Sequence, residues 1–187
     1  RFGAKPAEHR SAIEALLRRA LKPDTLPSIN PLVDIGNALA LRHQVPVGVH
    51  PIARGPVSDD QFHAITLRPA RPGDQFAPPD GRPDEPPSPG EIVLADGDRV
   101  LTRRWVWRQA AGTQIQPQTR CVFVNVDALP PITDATLTLA LDEAANLLGQ
   151  HVRARVCGRA VLHAGQPRAE FTLADPSPGP TESPQGQ

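Results

Sequence analysis

The chain has no Tyr and no Met, and Phe and Trp bring its aromatic content to only 4%. A core without many large rings has to be built from Val, Leu, Ile and Ala. At 39% hydrophobic residues over 187 positions, the material suffices for one modest domain core. Lysine is nearly absent: Lys5 and Lys22 are the only two, and Arg supplies the rest of the 20 basic residues. These balance 20 acidic residues, so net charge alone predicts no polyanion partner and argues against strong non-specific RNA affinity. No apolar stretch approaches the ~20 residues of a membrane span. The two cysteines, Cys121 and Cys157, lie far apart in apolar runs and are expected to be buried free thiols, not a disulfide framework. The histidines His9, His43, His50, His63, His151 and His163 fall in no HExxH or Cys/His zinc spacing. A P-loop, a GxGxxG after a strand and a GxSxG are also missing. No metal and no cofactor are therefore expected. The chain begins at Arg1 and carries no secretory signal pattern, so it is expected to be cytoplasmic and to lack some native N-terminal residues.

Proline, by contrast, is abundant, at 23 residues. It fixes φ and removes a backbone donor, so many of these positions must be loops or element starts. Ser11-Ala12-Ile13-Glu14 is a capping-box pattern, and good helix formers follow to Leu21 before Pro23. In that helix the Leu16/Leu17 stripe reads as core and Arg18-Arg19 as a solvated face. Asn30 is a good N-cap and Pro31 a favoured first helical residue, which predicts a second helix through Leu41. Strands are predicted at 64–68, 91–95, 99–107 and 121–126, with Asp96-Gly97-Asp98 as a hairpin turn. Residues 69–90 form a proline-rich loop, read as a variable solvent-exposed segment. A last helix is predicted from about Asp134 to Leu148 with Gly149 as its C-cap, then two short strands at 153–157 and 159–163. The expectation is a single α+β domain over residues 1–173, a mixed β-sheet flanked by helices. A disordered tail is expected at 174–187, where Pro, Ser, Gly and Gln dominate.

Three constellations carry candidate chemistry. Asn30, Asp34 and Asn37 share one helical face by their spacing. They either bond to neighbouring loops and hold the fold, or line a pocket for a polar ligand. On a continuous strand, Arg103, Trp105, Trp107 and Gln109 share one face, and Arg104 and Arg108 the other. This is either a stacking platform for a base beside fixed cations, or core Trp packing with Arg stems reaching water. Asn125 and Asp127, two apart on a strand, either hold a water or ligand amine or mark a surface edge. His50, after the second helix and before Pro51, is the histidine of most interest.

The run Leu26-Pro27-Ser28-Ile29-Asn30-Pro31-Leu32-Val33-Asp34-Ile35-Gly36-Asn37, then Pro46-Val47-Gly48, resembles a known family. So do Pro89-Gly90-Glu91-Ile92-Val93-Leu94-Ala95-Asp96-Gly97 and Arg103-Arg104-Trp105-Val106-Trp107-Arg108-Gln109, with Glu14-Ala15-Leu16-Leu17-Arg18-Arg19 fitting as well. From Phe2 to about Leu129, in the same order, the chain is similar to a free-standing form of the B3/4 domain, the tRNA-binding and editing module of the phenylalanyl-tRNA synthetase beta subunit. The resemblance implies a B3/4-like fold, a tRNA or aminoacyl-tRNA partner, and hydrolysis of the ester of a mischarged tRNA; the alternative is a non-catalytic module binding tRNA or an amino-acid-like ligand. It implies no tRNA charging, since the synthetase's other modules are absent. Asn37 resembles a pocket asparagine of the synthetase module; with the spacing and alternation above, His50 and Asn125 are the catalytic candidates, and Asn30, Asp34, Asn37, Arg103, Arg104, Trp105, Trp107, Arg108 and Gln109 the candidate substrate or RNA contacts. Gly48 stands where the synthetase module has a pocket histidine, and Asn125 where it has a glutamate; neither Gly nor Asn is a general base.

Overall fold

A computed structural model describes residues 8–22, 26, 28–52 and 64–172. The capping signals of the sequence act as read. Helix α1 (Ala12–Ala20) opens where Ser11 Oγ accepts the Glu14 N–H, and α2 (Pro31–His43) opens where Asn30 Oδ1 accepts the Val33 N–H at 3.0 Å. The strands are β1 (Val47–Pro51), β2 (Ile65–Pro69), β3 (Ile92–Asp96), β4 (Arg99–Arg103), β5 (Arg108–Gln109) and β6 (Val122–Val126). Helix α3 (Asp134–Val152) opens on Thr133.

The α+β class is as predicted, but the strands form two antiparallel sheets in place of one mixed sheet. One is β1–β6, and the other runs β2–β3–β4–β5. Strand β1 has no counterpart among the strands predicted from sequence. Its alternation sorts the first sheet into two faces. Val47 and Val49 point at α2, where a Cβ added to Gly36 would meet Val49 Cγ2 at 3.2 Å. Val47 and Val124 join Ile35, Leu39, Ala144 and Leu148 in the core between that sheet and α2/α3. Gly48, His50 and Asn125 face the other way, Gly48 being paired with Asn125. The second sheet has its own core of Phe76, Val93, Ala95, Val100 and Ala110.

Several expectations are corrected. The strand predicted over 99–107 stops at Arg103, because Arg104 (φ 47°) and Trp105 (φ 65°) are left-handed and the chain turns through 104–107. The proline-rich loop is not simply a solvent flap. Phe76 sits in the core at 1% exposure, and Asp74 takes a buried two-pronged ion pair from Arg68 at 2.7 Å on each oxygen. Helix α3 runs past Gly149 to Val152, where left-handed Arg153 (φ 53°) caps it. The two final strands do not form; only an isolated bridge joins His163 and Gln166. Both cysteines are free, but Cys157 is exposed. The expected tail at 174–187 and His63 lie outside the described residues.

Candidate functional site

The polar stripe of α2 divides by role. Asn30 is occupied as the N-cap. Asp34 reaches back to its own connector, accepting the Ile29 N–H at 2.9 Å and the Ser28 hydroxyl at 2.5 Å. Those two bonds hold its carboxyl below the usual range. Both residues therefore fasten the loop to the helix. Asn37 differs: its half-buried amide has no hydrogen bond among the described residues. It lines a cleft of about 170 Å³ with Ala12, Ile13, Leu16, Ala40 and Val47, bordered by Arg19.

The Arg/Trp segment is a set of internal contacts, not an open platform. Arg103 is 1% exposed and forks onto the buried Glu91 carboxylate at 2.8 and 2.7 Å, with Glu85 at 3.0 Å and the Phe76 ring 5.4 Å away. Glu91 also accepts the Arg104 and Ser88 N–H groups. Burial is the largest influence and would raise its pKa, but Arg103, the Ser88 N–H and Arg104 together hold it below the ordinary value. The Trp107 ring has the guanidinium carbons of Arg103, Arg104 and Arg108 within 5.9, 5.5 and 5.7 Å of its centroid, and His9 edge-on at 4.5 Å. Arg108 pairs with Asp80 at 2.8 Å. Arg103 and Trp107 are thus engaged by the fold.

Trp105 and Gln109 have a different setting. The left-handed turn swings the Trp105 side chain to Asp127, with which it shares a hydrogen bond. The Gln109 amide donates to Val49 O at 3.3 Å and to Thr113 O, and lies 3.4 Å from His50 Nδ1. On the β6 side of the first sheet, Asn125 Nδ2 donates to Asp127 at 2.5 Å. The structure thus brings His50, Asn125, Asp127, Trp105 and Gln109 into one polar cluster between the first sheet and the β4–β5 turn. Asn37 is not part of it, because it stands over the helix-facing side of β1.

The electrostatics of this cluster are unusual in two ways. His50 is 2% exposed, and burial pushes its pKa down to about 4, partly opposed by the Asn125 side chain. The ring is neutral near pH 7 and too weakly basic to be the best proton acceptor. Burial pushes Asp127 up to about 6 despite its bonds from Asn125 and Trp105. The buried Asn125 Oδ1 has no donor within strict hydrogen-bond geometry, and the His50 ring, whose protonated form it favours, lies beside it. Gly48 is the residue that leaves room for this arrangement: a Cβ there would lie 2.4 Å from Asn125 Oδ1 and 2.9 Å from His50 Nε2. The sequence pairs Asn125 with Asp127 but gives no sign that Asp127 is the residue with a perturbed acid. The signal is the residue spacing on β6, and it becomes chemical only once β1 and the turn bury it.

A family model matches residues 1–152. The chain belongs to the B3/4 domain family. B3/4 domains are found in the phenylalanyl-tRNA synthetase beta subunit. No curated protein and no solved structure matches the chain. All five residues of the polar cluster lie inside the matched B3/4 span. Residues 153–172 lie beyond it and are mostly exposed, with Val156, Leu162 and Phe171 each at least 44% accessible. Among the described residues, this B3/4 domain has no group of side chains fit to hold a metal ion, and no helix long and apolar enough to cross a membrane.

Proposed function

We propose that this B3/4 protein acts in trans on mischarged aminoacyl-tRNA and hydrolyses the ester between the amino acid and the terminal ribose. The observation that carries this reading is the Asn125–Asp127 pair. It combines a carboxyl tuned to about 6 with a buried amide oxygen that lacks a donor in strict hydrogen-bond geometry, in the family that supplies an aminoacyl-tRNA synthetase module. Above pH 6 the Asp127 carboxylate takes a proton from water as that water attacks the ester carbonyl. As the tetrahedral intermediate collapses, the same proton passes to the departing ribose oxygen, releasing free amino acid and tRNA. Trp105 and the Asn125 amide nitrogen fix the carboxylate's orientation. Asn125 Oδ1 is a ready acceptor for the substrate's α-ammonium group. His50, uncharged, packs beside Asn125 and keeps a second cation out of the place that ammonium takes.

The test is single-turnover deacylation over a full panel of mischarged tRNAs. At least one should lose its amino acid, with a rate rising through pH 6 to a plateau. Asp127→Asn should slow that reaction by about 10²–10⁴-fold, the range of general acid–base catalysis. Folded protein inactive on every tRNA in the panel would overturn the proposal. A second reading, a non-catalytic module for an amino-acid-like ligand, is favoured by the Asn37 cleft alone, with its unpartnered amide among apolar walls. It requires that a free amino acid bind and that Asn37→Ala abolish the binding.

A further inference from the structure

We infer that the basic face of α1 is the track on which the sugar-phosphate backbone of the tRNA lies. The inference rests on the proposal that tRNA is the partner, and assigns it a surface. Arg10, Arg18, Arg19 and Lys22, with Ala15 and Leu21, line an open groove of about 600 Å³ that has no acidic residue in its walls. Residues 10–22 hold these four cations against one acid, Glu14, in a chain whose charges balance 20 to 20 as a whole, which leaves 16 basic against 19 acidic residues elsewhere. The excess is therefore local. Glu14 engages Arg18 at 2.9 Å and Arg10 at 3.6 Å, both pairs well exposed. Arg19 and Lys22 form no ion pair among the described residues.

Helix stability explains only part of this. Arg18 and Arg19 in the last turn of α1 favour its negative C-terminal end. Arg10 precedes the N-cap Ser11, where the helix dipole disfavours a cation. Elsewhere in the fold Arg68 on Asp74 and Arg103 on Glu91 are spent in buried pairs, while Arg108 on Asp80 and Arg42 on Glu143 are held in more open ones. The α1 set differs in that its cations converge on one open groove without an acid in its walls. A nine-residue helix is about 13 Å long, which spans a few phosphate steps.

Position points the same way. Ala15 and Arg19 line both this groove and the Asn37 cleft. At the other end of α1, the Ala12 N–H donates to Val106 O at 2.8 Å, next to Trp105, whose side chain bonds to Asp127. A strand laid along α1 from Lys22 toward Arg10 thus brings its end to the turn that holds the polar cluster. Phosphates on the track and an ester at the cluster fit a single polynucleotide whose charged terminus carries an amino acid.

The experiment measures binding of uncharged, fluorescent tRNA by anisotropy between 50 and 200 mM salt, for the wild type, the double variant Arg19→Ala/Lys22→Ala, and Arg82→Ala as a control on another surface. Hydrolysis of an aminoacyl-adenosine, which has no backbone to lie on α1, is followed in parallel. The double variant should bind tRNA at least tenfold more weakly at 50 mM salt. Its slope of log K against log salt should fall by about 1.4–1.8, the change expected when two fewer phosphates are neutralised. Arg82→Ala should bind as the wild type does, and the double variant should hydrolyse any aminoacyl-adenosine the wild type hydrolyses at the same rate. Wild-type affinity and slope in the double variant would overturn the α1 assignment, as would a wild type that does not bind tRNA. Salt-sensitive tRNA binding that disappears in the double variant, together with no hydrolysis of any substrate, would uphold the α1 surface and overturn the hydrolase reading.

Discussion

His50 and Asp127 should impose opposite pH dependences on stability, and single substitutions should unmask each. In the unfolded chain His50 titrates near 6.5, and in the fold near 4. Between those values the unfolded chain holds a proton that the folded one does not, so stability falls as pH drops. The gap of about 2.5 units, at 1.36 kcal/mol per unit, amounts to about 3 kcal/mol lost between pH 6.5 and pH 4. Asp127 titrates near 3.8 unfolded and near 6 folded. Here the folded chain holds the extra proton, so stability rises as pH drops from 6 to 3.8, again by about 3 kcal/mol. Over the shared window the two slopes nearly cancel. Asp127→Asn removes one of them, and the His50 loss should then appear in full: acidification from pH 6.5 to 4 should lower Tm by about 6–12 °C more than in the wild type. His50→Gln should show the converse, losing less than the wild type on acidification. Thermal melts followed by circular dichroism across pH 4–7.5 provide the readout. Other carboxyl groups, such as Glu91 and Asp74, titrate alike in all three proteins and drop out of the differences. Parallel pH profiles for the wild type and Asp127→Asn would refute the buried-acid assignment.

Two further substitutions test the architecture around the cluster. Arg103→Ala leaves the Glu91 carboxylate buried without its main counter-charge and should cost about 3–5 kcal/mol of stability in denaturant unfolding, while Arg82→Ala, on an exposed pair, should cost less than about 1 kcal/mol. Gly48→Ala pushes a methyl group into Asn125 and His50, and should destabilise by about 1–3 kcal/mol and abolish any deacylation shown by the wild type, both measured on the same preparation.

The readable parts of this fold are those written in local chemistry. Ser11 and Asn30 cap helices because their side-chain oxygens reach the third residue onward, and a sequence shows that spacing directly. Gly97 turns the β3–β4 hairpin at φ 62° because glycine carries no Cβ to resist it. Strand β1 is different. Val47-Gly48-Val49-His50-Pro51 is five residues long, contains a glycine and ends on a proline, so its own propensity is weak. It is a strand because β6 pairs with it and α2 covers its valines. Its pairing partner β6 comes from a remote part of the chain, and no local pattern reports it.

The same distinction decides what became of the candidate site. Alternation along 103–109 fails at two left-handed residues that are not glycine, and nothing in Arg104-Trp105 announces that conformation. Its cause lies about twelve residues upstream. Glu91, buried at the head of β3, takes the Arg103 guanidinium on both oxygens and the Arg104 N–H on one of them, and the Trp105 N–H donates to Ile92 O at 2.7 Å. A carboxylate so placed fixes the backbone of the turn, and the turn delivers Trp105 to Asp127. The register of β1 on β6 does the rest: a slip of one residue would set Asn125 against the valine face and put His50 under α2. The arginine run looks like a surface for RNA in sequence because its acidic partner is remote. Once Glu91 and Asp80 are in place, that run becomes the scaffold of the polar cluster, and the cations that line an open groove are those of α1, which by sequence alone pass for an ordinary solvated face.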